Sequence, residues 1–321
     1  MGWNERILKV HQNIEIDGID RGTSQRRKHS NFFNEGKWNN FIEPLLPKDC
    51  KDMTLIEIGC NAGMFLKLAK DKGFFNVIGI EKDKTNCDVG KEYRDSLGLD
   101  YKIINDKVGQ NFDFDNLPVS DYVVLSNLHY HLLLDDFLYL EERLFYKTRY
   151  CLVVSVDIKQ PNWRPKGDIE SVRSYFKKWK EVGVINPITV KGDPRPRDLF
   201  GILFKSDLER REIKNLRSSN LNMIKKSPSL EKLVDDVINY KDIDIRKHVY
   251  YDRTTRSRQH KWSEKQIYDF VKGKIELAID VRDNGLKRAV NVEEDGRMLE
   301  GNHRLVILRH LRHSSVLVRV I

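Results

Sequence analysis

Short apolar runs near residues 54–58, 76–80, 101–104, 122–125 and 151–156 alternate with amphipathic stretches at 64–72, 83–97 and 134–146. Runs of that length, separated by helical periodicity, are expected of strands joined by crossover helices. The pattern predicts a doubly wound, largely parallel α/β sheet. Residues 169–181 read as a helix. Two apolar pieces, 186–190 and 198–204, flank a turn rich in Pro, Gly and Asp and read as a terminal hairpin.

Past residue 205 the pattern changes. Charged residues surround intermittent apolar positions up to about 247, which predicts a helical connector, and 248–262 is rich in Arg, Tyr and His. A second compact pattern follows: a helix over 263–283 interrupted by Gly273, and a strand at 289–292. A turn at Glu294-Asp295-Gly296 leads back through Met298 and Leu299, before a helix over 302–311 and a last strand at 315–321. The expected division is 1–206 as an α/β domain, 207–247 as connector and 248–321 as a small α+β domain, which suits a chain of 321 residues.

The most informative local motif is Glu57-Ile58-Gly59-Cys60-Asn61-Ala62-Gly63, a buried strand running into a glycine turn and then a helix. Gly59 permits the tight turn and Gly63 allows close packing of the helix. The free N–H groups at the helix terminus face any polar ligand placed there. Glycine turns also occur for steric reasons alone, but the next strand ends on Glu81, about twenty residues on, where a carboxylate can accept hydrogen bonds from ribose hydroxyls. An adenosine cofactor near Gly59 is expected.

Composition narrows the setting. Four cysteines form no C-x-x-C pair and have no histidines at zinc spacing, so neither a structural metal nor a disulfide framework is expected. No run approaches the roughly eighteen apolar residues a membrane span needs, and the first residues lack an apolar signal core; a cytoplasmic protein is expected. A net charge of +9 favours anionic partners without choosing among nucleic acid, nucleotides and phosphorylated glycans.

With the glycine turn, Glu81, Asp106 after the third strand, and Ser120-Asp121-Tyr122-Val123-Val124-Leu125-Ser126-Asn127 around the fourth, residues 20–206 resemble the class I S-adenosylmethionine-dependent methyltransferases. The resemblance implies a Rossmann-like seven-stranded sheet with an antiparallel last hairpin. It also implies S-adenosyl-L-methionine bound by Glu57, Gly59, Cys60, Asn61, Gly63, Glu81, Lys82, Asp106, Ser126 and Asn127. Methyl transfer to a hydroxyl requires alignment and a base. His129 and His131, at the carboxyl edge after the fourth strand, are candidates, with a structural role the alternative for each. The D/N-P-P-Y/F element of amino-group methyltransferases is absent from Ser126-Asn127-Leu128-His129, which disfavours base N-methylation and favours a hydroxyl, carboxyl or phosphate on a small molecule or glycan. Upstream, Gln25, Arg26 and Arg27 form either a lid over cofactor or acceptor or a solvated basic segment. Asp157 either lines the acceptor pocket or caps a loop.

Residues 263–321 resemble the ParB/sulfiredoxin-like fold through Glu300-Gly301-Asn302-His303-Arg304, which stands where that family has G-x-H-R. The resemblance implies phosphate binding by Gly301, Asn302, His303 and Arg304. With Glu300 and His303 as catalytic candidates it also implies a kinase-like module taking ATP or another nucleotide with Mg2+. Asn302 occupies the place of the cysteine that sulfiredoxin chemistry requires. The competing function is an RNA or DNA methyltransferase whose basic second domain contacts the nucleic-acid backbone; a third is a sensor or scaffold that keeps an inactive cradle.

Overall fold

The computed structural model describes residues 12, 14–17, 19–20, 31–156, 164–189, 198–212, 216, 228–295, 297–300, 302–313 and 315–321. The chain forms two compact units, Met1–Phe114 with Ser120–Asp207 and Asp115–Val119 with Leu208–Ile321.

The first unit is built on seven strands: β1 (Thr54–Ile58), β2 (Asn76–Glu81), β3 (Lys102–Asn105), β4 (Ser120–Ser126), β5 (Thr148–Val156), β6 (Lys180–Thr189) and β7 (Asp198–Lys205). Their order across the sheet is β3-β2-β1-β4-β5-β7-β6. β1 to β5 pair in parallel, while β7 runs antiparallel to both β5 and β6. Seven strands with an antiparallel last hairpin are what the first resemblance implies. β1 and β4 sit at the centre and are buried on both faces, which explains their near-continuous apolar character.

The order reverses between β1 and β4, so their carboxyl ends open a crevice of the kind where α/β sheets take ligands. Helices α1 (Asn31–Lys37), α2 (Met64–Asp71), α3 (Lys84–Ser96), α4 (Leu134–Lys147) and α5 (Ile169–Tyr175) complete the unit. α3 begins cleanly because Asp83 Oδ1 accepts from the N–H groups of Thr85 and Asn86 at 2.8 and 3.3 Å.

Two elements differ from expectation. The helix expected over 169–181 stops at Tyr175, and by Lys180 the chain is already in β6, an exposed edge strand. The indole N–H of Trp179 donates to buried Glu141 at 2.7 Å, a tertiary bond that fixes the chain where helix would have continued. Inside the expected connector, Leu208–Glu212 is a strand, β8, not a helix.

In the second unit β8 pairs antiparallel with β10 (Ser315–Val320), and β10 pairs in parallel with β9 (Val290–Val292), giving the order β8-β10-β9. The turn after β9 returns through an antiparallel bridge from Val292 to Met298. Helices α6 (Pro228–Ile238), α7 (Val249–Arg258), α8 (Glu264–Asn284) and α9 (Asn302–His310) pack their apolar faces on a core that includes Leu233, Val271, Val290, Leu305 and Val318. α8 runs unbroken through Gly273, started by a reciprocal capping box of Ser263 and Gln266. All four cysteines are buried and free. Among the described residues no helix is long and apolar enough to cross a membrane.

Candidate functional site

The turn after β1 has the backbone its sequence requires. Gly59, Asn61 and Gly63 have φ of 78°, 52° and 83°, the left-handed region open at low cost to Gly and tolerated by Asn. The N–H groups of Gly59 and Cys60 both donate to Ile80 O, at 2.7 and 3.2 Å, so the turn is held against the end of β2. A Cβ on Gly59 would lie 2.9 Å from Leu128 Cδ1.

Glu81 completes the lock. One carboxylate oxygen accepts the Asn61 N–H at 3.0 Å and the other the Asp83 N–H at 2.8 Å. Each oxygen retains lone-pair capacity. Asn105 steadies the same strand end by donating its amide to the carbonyls of Glu81 and Lys82 at 2.9 and 3.0 Å, and the Asp106 N–H donates to Glu81 O at 3.1 Å.

Gly59, Glu81, Lys82, Asp106 and His131 line a single cleft of about 590 Å³ that is open to solvent, together with Val108, Leu128, Leu132 and Asp136. That volume includes open solvent, and the walls are largely apolar with a few convergent polar groups. Leu128, Leu132 and Val108 are lining residues that the sequence reading did not single out; their signal was only their position just past β3 and β4.

Four of the six remaining expected cofactor residues share one property. Glu57 Oε2, Asn61 Oδ1, Ser126 Oγ and Asn127 Oδ1 are buried side-chain oxygens without a hydrogen-bond partner. A buried polar atom left unpaired costs about 1–3 kcal/mol, and these four gather at the carboxyl ends of the two central strands. Asn127 also has φ of 54°. Burial pushes the Glu57 carboxyl up to about 8, against the opposing pull of Lys37 and with a smaller push from Glu81. Burial likewise holds the Cys60 thiol well above its ordinary value, so Cys60 is a packed turn residue and not a nucleophile.

The two histidines separate. His131 is exposed on the cleft wall, whereas His129 is fully buried, 3.4 Å from Ser155 Oγ, and burial lowers its pKa to about 4. His129 therefore lies outside the cleft as a neutral core residue. Gln12 was not anticipated at all: its Oε1 accepts the Met64 N–H at 2.9 Å, at the start of α2. No local pattern in the sequence marks that contact across the chain. Gln25, Arg26, Arg27 and Asp157 lie outside the described residues.

In the second unit α9 starts at Asn302, with His303 and Arg304 in its first turn. Glu300 Oε1 accepts the Asn291 side-chain amide at 3.1 Å. Burial, then the neighbouring Lys274, lower the His303 pKa to about 4. Gly301 and the side chain of Asn302 lie outside the described residues.

No protein-family model matches the chain, and no curated protein matches it. Among solved structures, the PH0226 protein from Pyrococcus horikoshii OT3 is 14% identical, with 56% of this chain and 94% of that chain covered at a TM-score of 0.45. The N-terminal domain of EvdMO1 with SAH bound is 12% identical, with 63% and 93% covered and a TM-score of 0.44. A TehB-like SAM-dependent methyltransferase from Corynebacterium glutamicum ATCC 13032 Kitasato is 10% identical, with 53% and 87% covered and a TM-score of 0.41. Similarity of this extent fixes neither a ligand nor a reaction for this chain.

Proposed function

We propose that the first unit is an S-adenosylmethionine-dependent methyltransferase acting on a hydroxyl or phosphate oxygen of a small molecule or glycan. The observation that carries this reading is the set of unpartnered oxygens on Glu57, Asn61, Ser126 and Asn127, gathered beside a cleft that holds Gly59, Glu81 and Asp106. A ligand rich in hydrogen-bond donors, with ribose hydroxyls, fits the acceptors on Asn61, Ser126 and Asn127, and a positive amino group on that ligand would favour the ionised, accepting form of Glu57. Glu81 would hold the ribose, Asp106 the adenine edge, and the turn from Gly59 to Gly63 the amino-acid portion. When bound, S-adenosylmethionine supplies an activated methyl group, so the protein's tasks are to align the acceptor and take its proton. His131, on the cleft wall, is the residue placed for the proton; His129 is not.

For the second unit the reading is a phosphate- or nucleotide-binding module of ParB/sulfiredoxin-like kind, supported by His303 and Arg304 at the start of α9. The reading stops at binding and does not extend to phosphoryl transfer.

Ultraviolet crosslinking of methyl-labelled S-adenosylmethionine, followed by peptide mapping, tests the first assignment. Label should fall in peptides containing Asp106–Val108 or Leu128–Leu132 and be displaced by S-adenosylhomocysteine. Label elsewhere, or label that S-adenosylhomocysteine leaves in place, rejects it.

A further inference from the structure

The net charge of +9 is not shared evenly along the chain. Residues 1–207 hold 32 Lys and Arg against 31 Asp and Glu, while residues 208–321 hold 25 against 17, so nearly all of the excess lies past residue 207. A balanced first segment followed by a cationic one points to a polyanionic partner for the second.

Part of that excess is concentrated between Arg253 and Lys265. Arg253, Arg256, Arg258, Lys261 and Lys265 fall within thirteen residues whose single acid is Glu264, and Arg246 already meets Glu264 at 3.3 Å. The fold turns this run outward. α7 buries Tyr250, Tyr251 and Thr254, which leaves Arg253, Arg256 and Ser257 on its exposed face at the i, i+3, i+4 spacing of one helix side. Gln259, His260 and Lys261, in the turn after α7, and Lys265, in the first turn of α8, are exposed as well.

The turn that carries these cations is firmly seated. The Arg258 guanidinium sits over Trp262, 4.0 Å from the ring centre, and Trp262 meets Phe270 edge-on at 5.3 Å, both rings packing against the apolar core of the unit. Helix dipoles do not account for the strip. They favour Arg256 and Arg258 in the last turn of α7, but Arg253 precedes that turn, and Lys265 opens the next helix, where a cation is disfavoured.

We propose that the exposed side of α7 and the turn into α8, from Arg253 to Lys265, bind the sugar-phosphate backbone of a nucleic acid. Side-chain composition separates this partner from an anionic membrane. The strip interleaves its cations with the polar Gln259 and His260 and exposes no large apolar side chain, whereas a helix lying on a membrane inserts an apolar face. Backbone contacts position a strand without reading its bases, so affinity should follow salt more than sequence. The surface includes neither the 301–304 segment nor any residue of the first unit.

The test is fluorescence anisotropy of the full chain with a labelled oligouridylate, the matching oligodeoxythymidylate and a DNA duplex over a series of salt concentrations. The logarithm of the association constant should fall linearly with the logarithm of salt, with a slope of about −2 or steeper, as three or more phosphate contacts require. Whichever oligonucleotide binds tightest names the source of the backbone. Arg256→Gln combined with Lys261→Gln should weaken binding about tenfold or more and flatten the slope by about 1. Lys287→Gln combined with Arg297→Gln removes the same charge from cations that meet Asp280 and Glu293, and should change neither. Both double variants should melt within about 3 °C of the parent, so that lost binding is not lost folding. Equal weakening by the two double variants, a flat salt dependence, or no binding of any oligonucleotide at low salt overturns the proposal. Tighter binding to phosphatidylserine vesicles or to polyglutamate of matching charge overturns it as well.

Discussion

Glu81 Oε2 accepts the backbone N–H of Asn61 at 3.0 Å, joining the end of β2 to the left-handed turn that follows β1. With its other oxygen on the Asp83 N–H, Glu81 holds the glycine turn and the start of α3 in one frame before any ligand arrives. The cleft is therefore shaped by the residue expected to bind the ribose.

Glu81→Gln should expose this double duty. An amide can accept from only one of the two N–H groups and sets its own donors against the other. Urea unfolding should show a loss of about 1–3 kcal/mol. A loss below ~0.5 kcal/mol would mean that the turn is held elsewhere.

Glu57 makes stability depend on pH. Its folded-state pKa, about 8 against an ordinary 4.5, means that the folded protein keeps a proton the unfolded chain releases. Its contribution is complete below the ordinary value and is lost as pH rises from about 5 to 8, with a slope of up to about 1.3 kcal/mol per pH unit. Glu57→Gln should flatten that slope in melting experiments. An unchanged slope would remove Glu57 as its source.

Two glycines should respond in opposite directions to alanine. A Cβ on Gly79 would lie 2.5 Å from both Cys60 Sγ and Leu66 Cδ1, so Gly79→Ala should cost about 1–3 kcal/mol by overpacking behind the turn. Gly273 sits inside α8 with nothing near its missing Cβ, and Gly273→Ala should add roughly 0.5–1 kcal/mol. Thermal denaturation separates the two.

The histidines divide stability from chemistry. His131→Gln should leave stability within about 0.5 kcal/mol and, if His131 takes the acceptor proton, lower methyl transfer by roughly 10² to 10⁴. His129→Ala should destabilise the fold by opening a cavity beside Ser155 and Phe137. The reverse pattern would return the base to His129.

The central strands and the turn were legible because their cause is local: an apolar run, a glycine, a spaced acid. β1 lies on 54–58 and β2 ends on Glu81, both as expected. What was hidden depends on partners distant in sequence. β8, Leu-Glu-Arg-Arg-Glu, has little strand character of its own and is a strand because it pairs with β10, more than a hundred residues on. The start of β6 was hidden because Lys180 and Glu181 continue the helical pattern of 169–181 until Trp179 is seen bound to Glu141, whereas 186–189 lies within the expected hairpin strand. Gln12 and Gly79 matter through what they touch, and His129 and His131 are told apart only by which one the fold buries.

The central claim, that the cleft beside Gly59 and Glu81 binds an adenosine methyl donor, is tested most directly by titrating the unmodified protein with S-adenosylhomocysteine in a calorimeter. The account requires saturable binding of one molecule per chain, competitive with S-adenosylmethionine. Absence of binding at millimolar ligand, or binding that S-adenosylmethionine does not displace, would contradict it.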